Sequence, residues 1–199
     1  MLYEFDRIEK DFGAMEAAKL TGVSQVMQRD WRRHGFLAPP TPGKRMRFSL
    51  LEMCILALTK AQVDAGKAVS GAHHVAAMSS VVALRQIELC APAVLVEGVS
   101  LSYEEKLDFI RQNAGLGPDD EVTRYLFFTR KTSVPGPGID PDEEQLNTCQ
   151  HFATLQEMEE NVQRGWVTGE IFDLAAFALA LALRADGPLI TYKLRSVKE

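Results

Sequence analysis

Pro39, Pro40 and Pro42 fall within four residues and are followed at once by Gly43. Proline lacks a backbone donor and clashes with the preceding helical turn, and Pro-Gly is a turn signal. No helix can run through this stretch, so the chain on either side must form separate short elements. Upstream, "FGAMEAAKLTG" (12–22) reads as a helix with Met15, Ala18 and Leu20 inward and Gly22 as its stop. Ser24 is placed to cap a second helix, from Gln25 to His34, that ends at Gly35. Two helices joined by a tight Gly-containing turn form a helix-turn-helix arrangement. Downstream, Lys44, Arg45 and Arg47 are interleaved with Met46 and Phe48, and this period of two predicts a short β-ribbon with one basic and one packed face. Ser49 and Glu52 then have the spacing of a capping box and open a strong helix that closes at Gly66.

Charge is unevenly distributed along the chain. Residues 1–48 carry nine Lys/Arg and six Asp/Glu, whereas the remainder carries thirteen and twenty-one, in a chain of net charge −5. Six bases lie between 29 and 47, where Asp30 is the one acid. A basic segment on an acidic chain suggests a polyanion-facing end. In the Gln25–His34 helix, Val26, Met27 and Trp31 can supply an inner face, and Gln25, Gln28, Arg29, Arg32 and Arg33 an outer one. Gln and Arg suit base edges, and Arg and Lys also hold phosphates.

The order of these elements resembles the winged helix-turn-helix domain of MerR-type transcription regulators and the related small excisionase-like domains. The matching residues are "EAAKLTGVS" (16–24), "RDWRRHGFL" (29–37), "GKRMRFS" (43–49) and "LLEMCILAL" (50–58) leading to "AG" (65–66). The resemblance covers about a third of the chain. It implies DNA contact by Arg29, packing by Trp31 with access to the backbone, and basic wing positions at Arg45 and Arg47 beside a packed Phe48. Ser24, Gln25, Gln28, Arg29, Trp31, Arg32, Arg33, Lys44, Arg45 and Arg47 form the expected DNA-binding set. Asp30 stands where the family usually carries Tyr, and it is expected to order a neighbouring arginine rather than face phosphate. Members of the family dimerise through a long helix after this domain, a place filled here by residues 69–90. Metal-sensing members carry cysteines around that helix, where this chain has Cys90 alone, so metal sensing is not supported.

The second half alternates candidate strands at 93–98, 123–130, 149–155 and 188–194 with candidate helices at 102–115, 155–165 and 174–186, which suggests a small α/β domain. "SVPGPGIDPDEE" (133–144) reads as a mobile surface loop. The expected fold class is thus α+β: a winged helix-turn-helix at 1–75, a connecting helix at 76–92 and a small α/β domain at 93–199.

Several chemistries find little support. Cys54, Cys90 and Cys149 are odd in number and include no CxxC, which points to a reducing compartment. Adjacent His73 and His74 diverge by about 100° on a helix, so they do not converge on one metal. Cys149 and His151 share a strand face without a third partner, and Cys54 reads as a small buried residue. "DPDEE" (140–144) lacks the calcium-loop pattern. No Gly-rich phosphate loop or catalytic triad spacing is present. The N-terminal "MLYEFDRIEKDF" is charged where a signal peptide is apolar, and the longest apolar run, "LAAFALALAL", is about half the length of a membrane span. The expectation is a cytoplasmic, non-enzymatic, cofactor-free, dimeric regulator. It binds double-stranded DNA and has RNA polymerase or another regulator as a possible further partner. The alternative is an excisionase-like accessory protein of a phage or recombination system.

Overall fold

A computed structural model describes residues 4–39, 43, 45–117, 120–129, 149–162 and 169–195. The fold is mixed α+β. Its contacts gather into two compact units, residues 1–120 with 178–199, and Glu121–Phe177. The units therefore divide after Asp120 and again within a helix, whereas the sequence places its boundaries at 75 and 92.

The first unit begins with a strand that the sequence reading leaves unassigned. β1 (Phe5–Glu9) pairs antiparallel with β8 (Ile190–Leu194), from Phe5 opposite Leu194 to Glu9 opposite Ile190. β4 (Val94–Glu97) pairs with the other edge of β8 in parallel. β8 is thus the centre of a three-stranded sheet. Phe109 of α5 (Tyr103–Asn113) packs edge-on against both Phe5 and Tyr192, with ring centroids 4.8 and 5.2 Å away. Such edge-to-face contacts suit the quadrupoles of the rings.

Two helices build the rest of this core. Ser49 caps α3 (Leu50–Asp64): its hydroxyl accepts from the Glu52 N–H, and the Glu52 carboxylate accepts from the Ser49 N–H at 2.7 Å. Both halves of the expected capping box are present. Leu50, Met53, Cys54, Leu56 and Leu58 are fully buried. Burial pushes the Cys54 thiol strongly upward, so it remains protonated. α4 (Val69–Leu89) packs along α3, and its buried Ala72, Ala76, Ser79 and Ala83 recur at helical spacing. Small side chains at these positions let the two axes approach closely. The buried Gln62 side chain donates across the pair to the Ala72 carbonyl at 3.3 Å. At the far end of α4, Glu88 accepts from Arg7 of β1 at 2.6 Å and from Arg85 at 3.0 Å. A short 3₁₀ turn, Ala91–Ala93, leads into β4.

The basic segment departs from the expected ribbon. β3 is limited to Arg47–Phe48 and pairs with β2 (Phe12–Gly13), placing Phe12 opposite Phe48. Both rings are fully buried. The helix expected from residue 12 therefore starts at Ala14, because the two preceding residues are held in the ladder. The alternation itself survives: Arg45 and Arg47 are exposed, Met46 is half-buried and Phe48 is buried. Lys44 and the loop 133–144, with its acidic cluster, lie outside the described residues.

The second unit holds an antiparallel sheet in the order β6-β5-β7, formed by Cys149–Phe152, Tyr125–Thr129 and Gly169–Asp173. Tyr125, Phe127, Phe152 and Met158 of α6 (Leu155–Val162) form its core. The strands of 93–199 do not make one layer, because β4 and β8 join β1 instead. Asp173 ends β7, and its Oδ1 accepts from the N–H groups of Ala175 and Ala176 at the start of α7 (Leu174–Arg184). Among the described residues, no helix is long and apolar enough to cross a membrane.

Candidate nucleic-acid interface

The candidate surface is built on α1 (Ala14–Thr21) and α2 (Gln25–Arg33). Gly22 adopts φ 75°, a conformation open to glycine at little cost, and its N–H closes α1 on the Ala18 carbonyl at 3.0 Å. Val23 is fully buried in the turn. The Ser24 hydroxyl then accepts from the Met27 N–H at 3.2 Å, as expected of an N-cap. At the other end Gly35 adopts φ 80°. The Phe36 N–H reaches the Trp31 carbonyl at 2.9 Å and the Gly35 N–H reaches that of Arg32 at 3.0 Å. These two bonds are the pair that defines a Schellman ending. A nine-residue helix is marginal alone, so its caps and its buried face together hold it in place.

The buried face differs from the expected one. Gln28 and Trp31 are buried, Met27 is half-buried, and Val26 is 66% exposed. Gln28 therefore does not belong to the outer set. Its Nε2 donates to the carbonyls of Ala14 and Val23, both at 2.9 Å, and so fastens α2 to the start of α1 and to the turn. Its Oε1 is buried with no hydrogen-bond partner among the described residues. In α1 the inward residues are Ala17 and Leu20, whereas Met15, expected inside, is 76% exposed.

Gln25, Val26, Arg29, Asp30 and Arg33 form the exposed side of α2, with Arg32 partly covered. The Arg29 Nε donates to the Gln25 carbonyl and the Arg32 Nε to that of Ala38, each at 3.3 Å. The Asp30 carboxylate lies 3.8 Å from Arg33 Nη1 and 3.7 Å from His34 Nδ1. These exposed pairs are loose and contribute little to stability. A cleft of about 160 Å³ is lined by Ala14, Gln25, Gln28, Arg29, Arg32 and Met46. It puts the outer arginines of α2 beside the basic segment that holds Arg45 and Arg47. A second depression, about 340 Å³, is lined by Val26, Met27, Arg29, Asp30 and Arg33.

His73 packs against Phe36 with ring centroids 5.6 Å apart, and burial together with neighbouring His74 pushes its pKa down. Burial likewise lowers His151 in β6. Among the described residues, no group of three or more His, Cys, Asp or Glu side chains is arranged to hold a metal ion. Compared with known proteins, the chain matches no protein-family model and no curated sequence.

Proposed function

We propose that this chain is a sequence-specific binder of double-stranded DNA that regulates transcription through a winged helix-turn-helix at its N-terminal end. The carrying observation is one exposed helical face bearing Gln25, Arg29 and Arg33, with exposed Arg45 and Arg47 on the segment beside it. The caps and the buried Gln28–Trp31 face give that helix a fixed orientation, which base-edge recognition in the major groove requires. In this reading Arg29 and Gln25 meet bases, while Arg33, Arg45 and Arg47 meet phosphates. Ser24 contributes by capping and Trp31 by packing. The protein acts as a dimer on an inverted repeat. The exposed Met78 and Val81 on α4, 69% and 65% accessible, support self-association through that helix.

The deciding experiment is selection of bound duplexes from genomic fragments, followed by titration of the selected site at several salt concentrations. A discrete site, bound with steep salt dependence, is the expected result. The double variant Arg29→Ala/Arg45→Ala should lose site occupancy while unfolding at the wild-type temperature. Wild-type protein that retains no fragment at low salt, or a double variant with undiminished occupancy, rejects the assignment.

A further inference from the structure

Val26 breaks the polar character of the exposed side of α2. It is 66% accessible, and its neighbours on that side are Gln25, Arg29, Asp30 and Arg33. Arg29, Asp30 and Arg33 stand three, four and seven residues further on, the spacings that share a helix face. With Met27 they line the depression of about 340 Å³, so its lining combines apolar Val26 and Met27 with the charged Arg29, Asp30 and Arg33. A β-branched residue is not favoured by helix propensity at an exposed position. Trp31 and Gln28 fill the inner face, and Val26 lies outside that buried set.

We infer that Val26 is a specificity-determining residue that reads the 5-methyl group of a pyrimidine in the major groove. The inference rests on the proposed DNA binding. Thymine presents O4 as an acceptor beside its methyl group, and apolar side chains recognise that methyl. The Val26–Arg29 pair matches this pattern, with an apolar contact from Val26 and N–H donors from Arg29. The flanking arginines fit the negative backbone that a methyl-bearing base edge brings with it. The same chemistry is offered by 5-methylcytosine, whose amino group finds an acceptor in Asp30.

The test uses the full chain and its selected duplex. Each thymine is replaced in turn by deoxyuridine, which removes the methyl and nothing else. In a parallel set each cytosine is replaced by 5-methylcytosine. Burial of one methyl predicts a change of roughly fourfold in affinity. Wild type should lose that factor at one thymine, or gain it at one methylated cytosine, and the arm that responds identifies the base. Val26→Ala should bind the parent and substituted duplexes equally, with an unfolding temperature no lower than that of wild type. If wild type ignores every methyl change, or if Val26→Ala responds as wild type does, Val26 has no such role. Failure to bind any duplex is a separate outcome that removes the DNA-binding proposal itself, and the methyl-reading role with it.

Discussion

Gln28 Nε2 lies 2.9 Å from the carbonyl oxygen of Ala14 and donates to it across the two helices. The same nitrogen serves the Val23 carbonyl, so one buried amide group joins the start of α1, the turn and α2. Replacing Gln28 by Leu removes both bonds and leaves the Val23 and Ala14 carbonyls without this donor. The expected loss is about 1–3 kcal/mol of unfolding free energy, read from the denaturant midpoint. A variant as stable as wild type would show that the amide is not holding the helices together.

The exposed arginines should behave in the opposite way. Arg47→Ala removes a cation from an exposed position, while Phe48 on the opposite face keeps its place against Phe12. If it meets phosphate, affinity falls similarly on every sequence, and the slope of log affinity against log salt becomes shallower by about 1. A loss confined to one base position would instead assign Arg47 to base readout.

His73 predicts an acid-sensitive contact between α4 and the segment that follows α2. Burial and then His74 lower its pKa below the ordinary 6.5. The unfolded chain therefore binds the proton more readily than the folded one. Its contribution is fully present above the unfolded value and is lost as pH falls below it toward the folded value. His73→Phe should flatten the fall in unfolding temperature over that acidic window, measured against wild type. His151 is shifted in the same direction, so the acid sensitivity that remains just below the ordinary histidine pKa is expected to shrink further in a His73→Phe/His151→Phe double variant.

In the second unit, Arg124 grips Asp173 with two bonds, Nε to Oδ1 at 3.3 Å and Nη2 to Oδ2 at 3.0 Å. Burial pushes the Asp173 carboxyl up, but Arg124 and the two N–H groups at the start of α7 outweigh it and hold the pKa down. A depressed carboxylate stabilises above its unfolded pKa and loses that contribution as pH falls through the folded value. Asp173→Asn should weaken protection of β5 amides against hydrogen exchange at neutral pH. It should also remove the part of the acid dependence that lies below the ordinary carboxylate pKa. Unchanged protection would place the stability of β5 in its apolar contacts alone.

What could be read from residue order was mostly local. Ser24, the Ser49–Glu52 box and Gly35 act within a few residues of themselves, and each helix end falls close to its signal. Met15 and Gln28 lie opposite to where their residue types suggest, because helix geometry rather than polarity sets the buried face. Taking Trp31 as inward, a helix brings 27 and 28 onto its face, whereas 26 lies five residues back and about 140° away. β1 left no such signal, since Asp6, Arg7, Ile8 and Glu9 are all exposed and its pairing comes from residues 190–194. The ladder between Phe12 and Phe48 is equally non-local, which is why a ribbon within 44–47 was the simpler reading. The basic outer face of α2 was legible from the arginines, but the membership of Val26 was not.

The pairing of Phe5 with Leu194 has a temporal consequence. During synthesis β1 leaves the ribosome long before its partner exists. At about 5–20 residues per second, the wait is roughly ten to forty seconds. Through that interval β1 and β4 each lack the strand that will lie between them. The antiparallel sheet of Glu121–Phe177, whose pairings are closer in sequence, can form first. The nascent first unit thus carries bare strand edges, open to mispairing, until β8 arrives.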